Sequence, residues 1–152
     1  MNLNLPPYKV RTTLNSDGEW TIYDRLRHKY VALTPEEWVR QHFVEFMITY
    51  RNYPASLMAN EIGLTLNGTR RRCDTVVFDR HGHPMTIVEY KAPTVDVTQK
   101  VFDQIVRYNM VLHARCLIVS NGLSHYCCAI DYENHSYAFL PDIPFYESFS
   151  MF

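Results

Sequence analysis

The chain has 152 residues with a formal net charge of -1, and 47% of them are apolar. That length can bury a core without staples and suits one domain, and so balanced a charge excludes a broadly basic protein while permitting local basic patches. No apolar run approaches the roughly 20 residues a membrane span needs, and the first residues lack the basic-then-apolar layout of a secretory signal, so a cytoplasmic location is expected.

In chain order, residues 8–14 and 20–23 predict a hairpin turned by Asn15-Ser16-Asp17-Gly18. Thr34-Pro35-Glu36-Glu37 then opens a helix, with a Thr cap, Pro at the first helical position and Glu in the capping-box position. Trp38, Val39, Phe43, Phe46, Met47 and Tyr50 recur on one broad face, and the helix should end before Pro54. Strands follow over residues 57–66, 72–79 and 84–91, the first pair turned by Asn67-Gly68. Asp96 with Gln99 can cap a second helix running to about His113, with Val101, Ile105, Tyr108 and Leu112 along its buried stripe. A short apolar strand over 115–120 stops at Asn121-Gly122, and 125–130 with 137–140 suggest a terminal hairpin before an aromatic tail that packs back on the body. The core order is helix, three strands, helix, strand: one mixed α/β domain over 1–152, its core at about 33–121, with an N-terminal hairpin at about 8–23 and a C-terminal hairpin and tail at about 125–152. Cys73, Cys116, Cys127 and Cys128 form no CxxC pair, and reduced, buried thiols are expected of them.

The third strand of the meander ends on Glu89-Tyr90-Lys91-Ala92-Pro93. Alternation along a strand sends Glu89 and Lys91 the same way and Tyr90 the other. If His81-Gly82 is a two-residue hairpin loop, opposed residue numbers sum to 163, which pairs Arg80 with His83, Phe78 with Met85 and Val76 with Ile87, and sets Asp74 opposite Glu89. Opposed carboxylates repel, and a divalent cation between them relieves that repulsion; their hard oxygens suit Mg²⁺ or Mn²⁺. Against this stands a structural reading in which Arg70, Arg71 and Arg72 neutralise both acids. A single β-bulge or a three-residue loop would also turn Asp74 to the opposite face. By parity Arg72 lies on the Asp74 face. On the second helix Gln104 and Tyr108 share a face, although Tyr108 equally belongs to the apolar stripe. His81 and His83 flank a turn and are expected to be exposed polar sequence rather than ligands.

Arg72-x-Asp74, then Glu89-Tyr90-Lys91-Ala92-Pro93, then Gln104-x-x-x-Tyr108 resembles the PD-(D/E)xK nuclease superfamily, and in detail the N-terminal nuclease domain of type I restriction enzyme R proteins. The similarity runs from about Leu33 to Asn121 and includes the Thr34-Pro35-Glu36-Glu37-Trp38-Val39-Arg40-Gln41 helix start and Ser120-Asn121-Gly122. It implies a restriction-endonuclease-like αβββαβ core, with Asp74 and Glu89 as ligands of Mg²⁺ or Mn²⁺ and Lys91 as catalytic base or electrostatic stabiliser. Gln104 and Tyr108 would assist near the DNA, and Glu61 would be an additional acid, although alternation does not decide which way it faces. Arg70 and Arg72 are the expected DNA contacts. R proteins of that family join the nuclease to a helicase motor, whereas this chain carries no Walker A signature and is too short for a motor. The expected function is therefore a Mg²⁺-dependent DNA endonuclease without the motor, working alone or with other restriction-system or helicase subunits and with no membrane. The alternative from another class is a non-catalytic nucleic-acid-binding or complex-assembly module that retains the fold.

Overall fold

A computed structural model describes residues 2–150; the first residue and the last two of the expected tail lie outside it. The N-terminal hairpin becomes a three-stranded antiparallel sheet of β1 (Thr12–Leu14), β2 (Trp20–Asp24) and β3 (Lys29–Ala32). The third strand escapes a search for Gly or Pro turns because Asp24 makes this one. Its buried carboxylate accepts from the Leu26 and Arg27 amides, both at 2.8 Å, and His28 takes a left-handed φ of 54°.

Helix α1 (Pro35–Arg51) starts where expected, the Thr34 hydroxyl accepting from the Glu37 amide at 3.1 Å. It stops at Asn52, whose φ of 60° turns the chain out before Pro54. The main sheet holds six strands in the order β4 (Met58–Leu66), β5 (Thr69–Phe78), β6 (Pro84–Tyr90), β7 (Cys116–Ser120), β8 (His125–Asp131) and β9 (Ser136–Leu140). Only β6 and β7 run parallel, and α2 (Gln99–Asn109) lies in the crossover that parallel pairing requires. The result is the expected mixed sheet flanked by helices.

Each helix covers one face. Val39, Phe43, Val44 and Met47 of α1 pack on Val77, Val88, Tyr90 and Ile118, while Phe102, Ile105 and Val106 of α2 pack on Val76, Ile87, Leu117 and Val119. Complete burial of such side chains contributes about 1.5–3 kcal/mol each, so the two helices clamp the middle of the sheet from both sides. The stripe of α2 is rotated from the expected one. Thr98, not Asp96, is the cap, and Phe102, Ile105, Val106 and Asn109 face inward while Tyr108 stays 47% exposed. The large Phe102 ring takes the core position, and Asn109 is tolerated there because it donates to the Ile105 carbonyl at 2.9 Å.

The tail packs back as expected: Ile143 and Tyr146 join the α1-side core, and Tyr53 donates its hydroxyl to the Pro144 carbonyl ahead of α3 (Tyr146–Ser150). All four cysteines are free and buried, with the Cys116 and Cys127 sulfurs 3.2 Å apart as thiols. No described helix is long and apolar enough to cross a membrane.

Candidate functional site

The β5–β6 register decides whether the acids meet. The loop is not the two-residue turn predicted from His81-Gly82. The Asp79 amide donates to the His83 carbonyl at 2.8 Å, and the Gly82 amide donates to the Asp79 carbonyl at 3.1 Å. Arg80, His81 and Gly82 therefore form a three-residue loop, which needs the left-handed φ of 82° that Gly82 supplies. That loop pairs Phe78 with Pro84, not Met85, and Asp79 with His83. A register shift between Val77 and Phe78 then absorbs the extra residue and restores Val77↔Thr86, Val76↔Ile87 and Thr75↔Val88. Either irregularity alone would have turned Asp74 away. Together they cancel, and Asp74 and Glu89 are the next positions along.

Here the sheet parts. The last β5–β6 pair is Thr75↔Val88, and the Asp74 carboxylate itself accepts the Tyr90 amide proton at 2.9 Å. Beyond it β6 stays paired only with β7, and the Lys91 amide donates to the Ser120 carbonyl at 2.9 Å. On the other side Glu61 of β4 sits between the pairs Asn60↔Thr75 and Ile62↔Cys73, at the Asp74 level. Its φ of 54° is rare for a residue with a side chain, and it swaps the faces of the strand. Met58 packs on the α1 side, whereas Ile62 and Leu64, of the same parity, pack on the α2 side. In β5 Val77 and Cys73 make the same exchange. The parting leaves a cleft of about 200 Å³ lined by Glu36, Glu37, Arg40, Glu61, Asp74 and Tyr90.

Burial, then the Asp74 charge, pushes the half-buried Glu89 carboxyl up to about 7, with Lys91 opposing. Burial also raises Asp74 against the Tyr90 amide and Arg40, and Glu61 adds to the rise. Glu61 goes the other way: burial would raise it, but hydrogen bonds and charge from Arg40 and Arg72 hold it below the usual carboxylate range. Asp74 and Glu89 thus form a pair with excess negative charge, and Glu61 is a neighbour already neutralised. Among the described residues no three His, Cys, Asp or Glu side chains converge as a metal cluster. Two carboxylates, with hard oxygens and a shared need for positive charge, are what remains to hold a divalent cation.

Sequence reasoning passed over Glu37 and Arg40, which it used only to place a helix start. Arg40 is 7% exposed and fully engaged. Its Nε and Nη2 grip the Glu37 carboxylate, both at 2.7 Å, and its Nη1 reaches Glu61 Oε1 at 2.8 Å and the Asp74 carbonyl at 2.9 Å. Glu37 also accepts from Arg27 and Gln41, each at 2.9 Å. A second chain runs from the Tyr90 hydroxyl to Thr75, from Thr75 to Asn60, and from Asn60 to the Asp24 carboxylate. The usable signal was a Glu and an Arg three apart beside an apolar helix face.

The remaining expected residues lie further out. Gln104 is exposed on α2. Tyr108 carries the Arg71 guanidinium 4.4 Å above its ring, and its carbonyl accepts from Arg71 Nε. Arg72 pairs with Glu61 at 3.2 Å, and exposed Arg70 lies over Gly63, where a Cβ would come within 2.6 Å of its guanidinium. The arginine trio therefore neutralises Glu61 and caps Tyr108 rather than binding Asp74 and Glu89. His81 is exposed, and exposed His83 approaches Asp79, at 3.6 Å.

Among solved structures, the fold is similar to a fragment described as an HsdR subunit of a type I restriction enzyme from Vibrio vulnificus YJ016, with a TM-score of 0.54 and 18% identity. The match covers 77% of this chain and 24% of that one, so the chain spans about a quarter of its relative's length. A comparison with curated proteins finds no match. The family model for the type I restriction enzyme R protein N terminus matches residues 35–144, from the first residue of α1 to beyond β9, and the chain belongs to that family.

Proposed function

We propose that this chain is a PD-(D/E)xK nuclease domain that hydrolyses DNA phosphodiesters with Mg²⁺ or Mn²⁺. One observation supports the reading: Asp74 and Glu89 are the next positions beyond the last β5–β6 pair, where the Asp74 carboxylate takes the Tyr90 amide and Glu89 feels the charges of Asp74 and Lys91. Asp74 and Glu89 would hold the cation, with waters and the Tyr90 carbonyl as further oxygens. When bound, the cation supplies Lewis-acid polarisation of a phosphoryl oxygen and a more acidic attacking water. Asp74 is held for this role by the Tyr90 amide, and Glu89 shares its strand face with Lys91. The Lys91 ammonium places positive charge where the phosphorane develops negative charge, and its backbone is tied to β7 through Ser120. Family membership supports DNA as substrate and other restriction-system subunits as partners.

A second reading, a binding or assembly module without cleavage, draws on the Arg40 and Arg72 grip that removes Glu61 from the set of free acids. Mn²⁺ titration followed by melting separates the two. In the nuclease reading the metal raises Tm, because a ligand of the folded state alone stabilises it, and Asp74→Asn abolishes that rise. Cleavage of supercoiled, linear and single-stranded DNA by wild type and not by Asp74→Asn completes the test. A flat titration with no cleavage, even with a co-encoded partner present, sinks the nuclease reading and leaves the module.

A further inference from the structure

Glu61 stands at the Asp74 level where the sheet parts, and Arg40 and Arg72 hold its carboxylate, whereas the Asp74 carboxylate takes only a backbone amide among the described contacts. Glu61 lies at the Asp74 level of the neighbouring strand, and its charge raises both Asp74 and Glu89, so it stands within electrostatic reach of the pair. What separates it from them is Arg40. One guanidinium nitrogen, Nη1, bridges Glu61 Oε1 at 2.8 Å and the Asp74 backbone carbonyl at 2.9 Å. The other two nitrogens are locked on Glu37, a carboxylate 5% exposed that Arg27 and Gln41 also hold. Arg40 therefore cannot swing away from Glu61 without giving up its two 2.7 Å bonds to the buried Glu37, which would keep only Arg27 and Gln41, and breaking into a buried ion-pair network is unfavourable. Arg72 also touches Glu61, but its side chain is 64% exposed, and such pairs hold weakly.

We propose that Arg40 is a positioning residue that keeps Glu61 out of the cation site, so that the Asp74–Glu89 pair and not a trio of carboxylates faces the metal. This rests on the nuclease reading for its purpose but not for its test. A third carboxylate would tighten cation binding, since affinity at hard-cation sites rises with the number of charged ligands. It would also offset more of the positive charge that the metal and Lys91 bring to the phosphate, so exclusion favours chemistry over tight binding.

The test uses Glu37→Gln with Arg40→Met, a double change that leaves net charge unaltered and replaces a buried ion pair by neutral groups of similar size, which cores often tolerate. Mn²⁺ affinity is measured by calorimetry for wild type, the double variant, and the double variant carrying Glu61→Gln, with melting curves to confirm that each is folded. Should the double variant not fold, Arg40→Lys serves in its place, since it keeps the charge but cannot span Glu37, Glu61 and Asp74 together. Release of Glu61 should tighten Mn²⁺ binding by about ten-fold, one added carboxylate's worth, and Glu61→Gln should remove the whole gain. Equal affinity across the three proteins, or a gain that survives Glu61→Gln, overturns the proposal. If wild type binds no Mn²⁺ but the released protein gains a Glu61-dependent site, the nuclease reading fails and the exclusion by Arg40 stands.

Discussion

Glu89→Gln in the metal-free protein isolates the strain of the acid pair. Glu89 titrates near 7 in the fold against 4.5 for the ordinary group, because it is buried beside Asp74. The folded state holds this proton more tightly than the unfolded chain does. Its contribution to stability is therefore complete below pH 4.5 and lost as pH rises through 7. At pH 8 the difference amounts to at most about 3 kcal/mol, and the water still reaching a half-buried carboxylate brings that to roughly 1.5–3 kcal/mol. Glutamine cannot ionise, so Glu89→Gln should melt roughly 3–12 °C above wild type at pH 8 with a chelator present, using about 2–4 °C per kcal/mol for a chain of this size. At pH 4 the two should melt together. Adding Mn²⁺ at pH 8 should raise wild type and leave the variant unmoved, narrowing or reversing their order. Differential scanning calorimetry at both pH values is the assay. A variant that differs from wild type equally at pH 4 and pH 8 would refute the reasoning, because its effect would then be packing and not charge.

Lys91→Ala should lower DNA cleavage on the order of 100-fold while Mn²⁺ affinity does not fall and stability changes by less than about 1 kcal/mol; a matched loss of melting temperature and cleavage would make Lys91 structural. Gln104→Ala, at an exposed site on α2, should leave stability within about 0.5 kcal/mol and reduce cleavage selectively, and unchanged kinetics would remove Gln104 from the site. Charge reversal at Arg70 and Arg72 should flatten the salt dependence of DNA binding, by about 0.9 in the log–log slope for each phosphate no longer neutralised. The single Arg70→Glu change is the cleaner arm, since Arg72 also holds Glu61, and an unaltered slope would move the DNA track to another surface, with Arg25, Arg27 and Lys29 next to be tested.

The sequence carried most of the fold because its signals were local. A Thr-Pro cap, an Asn-Gly turn and apolar periodicity place α1 and β4 to within a residue or two of where they lie. What stayed hidden depends on side chains standing in for backbone. The turn before β3 is built by the Asp24 carboxylate, and no dipeptide rule registers it. Parity was reliable only between irregularities. It set Val76 against Ile87 correctly, yet the loop and the bulge that cancel are both invisible to a sum of residue numbers. It could not place Glu61 at all, because alternation assumes extended backbone and Glu61 is not extended. Tyr108 was ambiguous for a simpler reason: a tyrosine in a helical stripe reads as core unless one knows that an arginine lies over its ring.

The left-handed Glu61 ties these failures to the site itself. A non-glycine residue held there costs of order 1–3 kcal/mol, and such strain persists only where the surroundings over-determine it. Two restraints are present. The strand must change faces at this level, since Met58 belongs to the α1-side core and Ile62 to the α2-side core. The carboxylate is gripped from α1 by an arginine that is itself held by a buried Glu37. The face exchange removes ordinary backbone pairing where Asp74 stands, and Arg40 takes the Asp74 carbonyl while the Asp74 carboxylate takes the Tyr90 amide. A regular ladder would have satisfied the Asp74 carbonyl and the Tyr90 amide with backbone groups of the flanking strands and kept the sheet closed at this level. The irregularity opens the sheet between its strands, and the same arginine that takes the Asp74 carbonyl there holds the Glu61 carboxylate, while the Asp74 carboxylate is left to the Tyr90 amide.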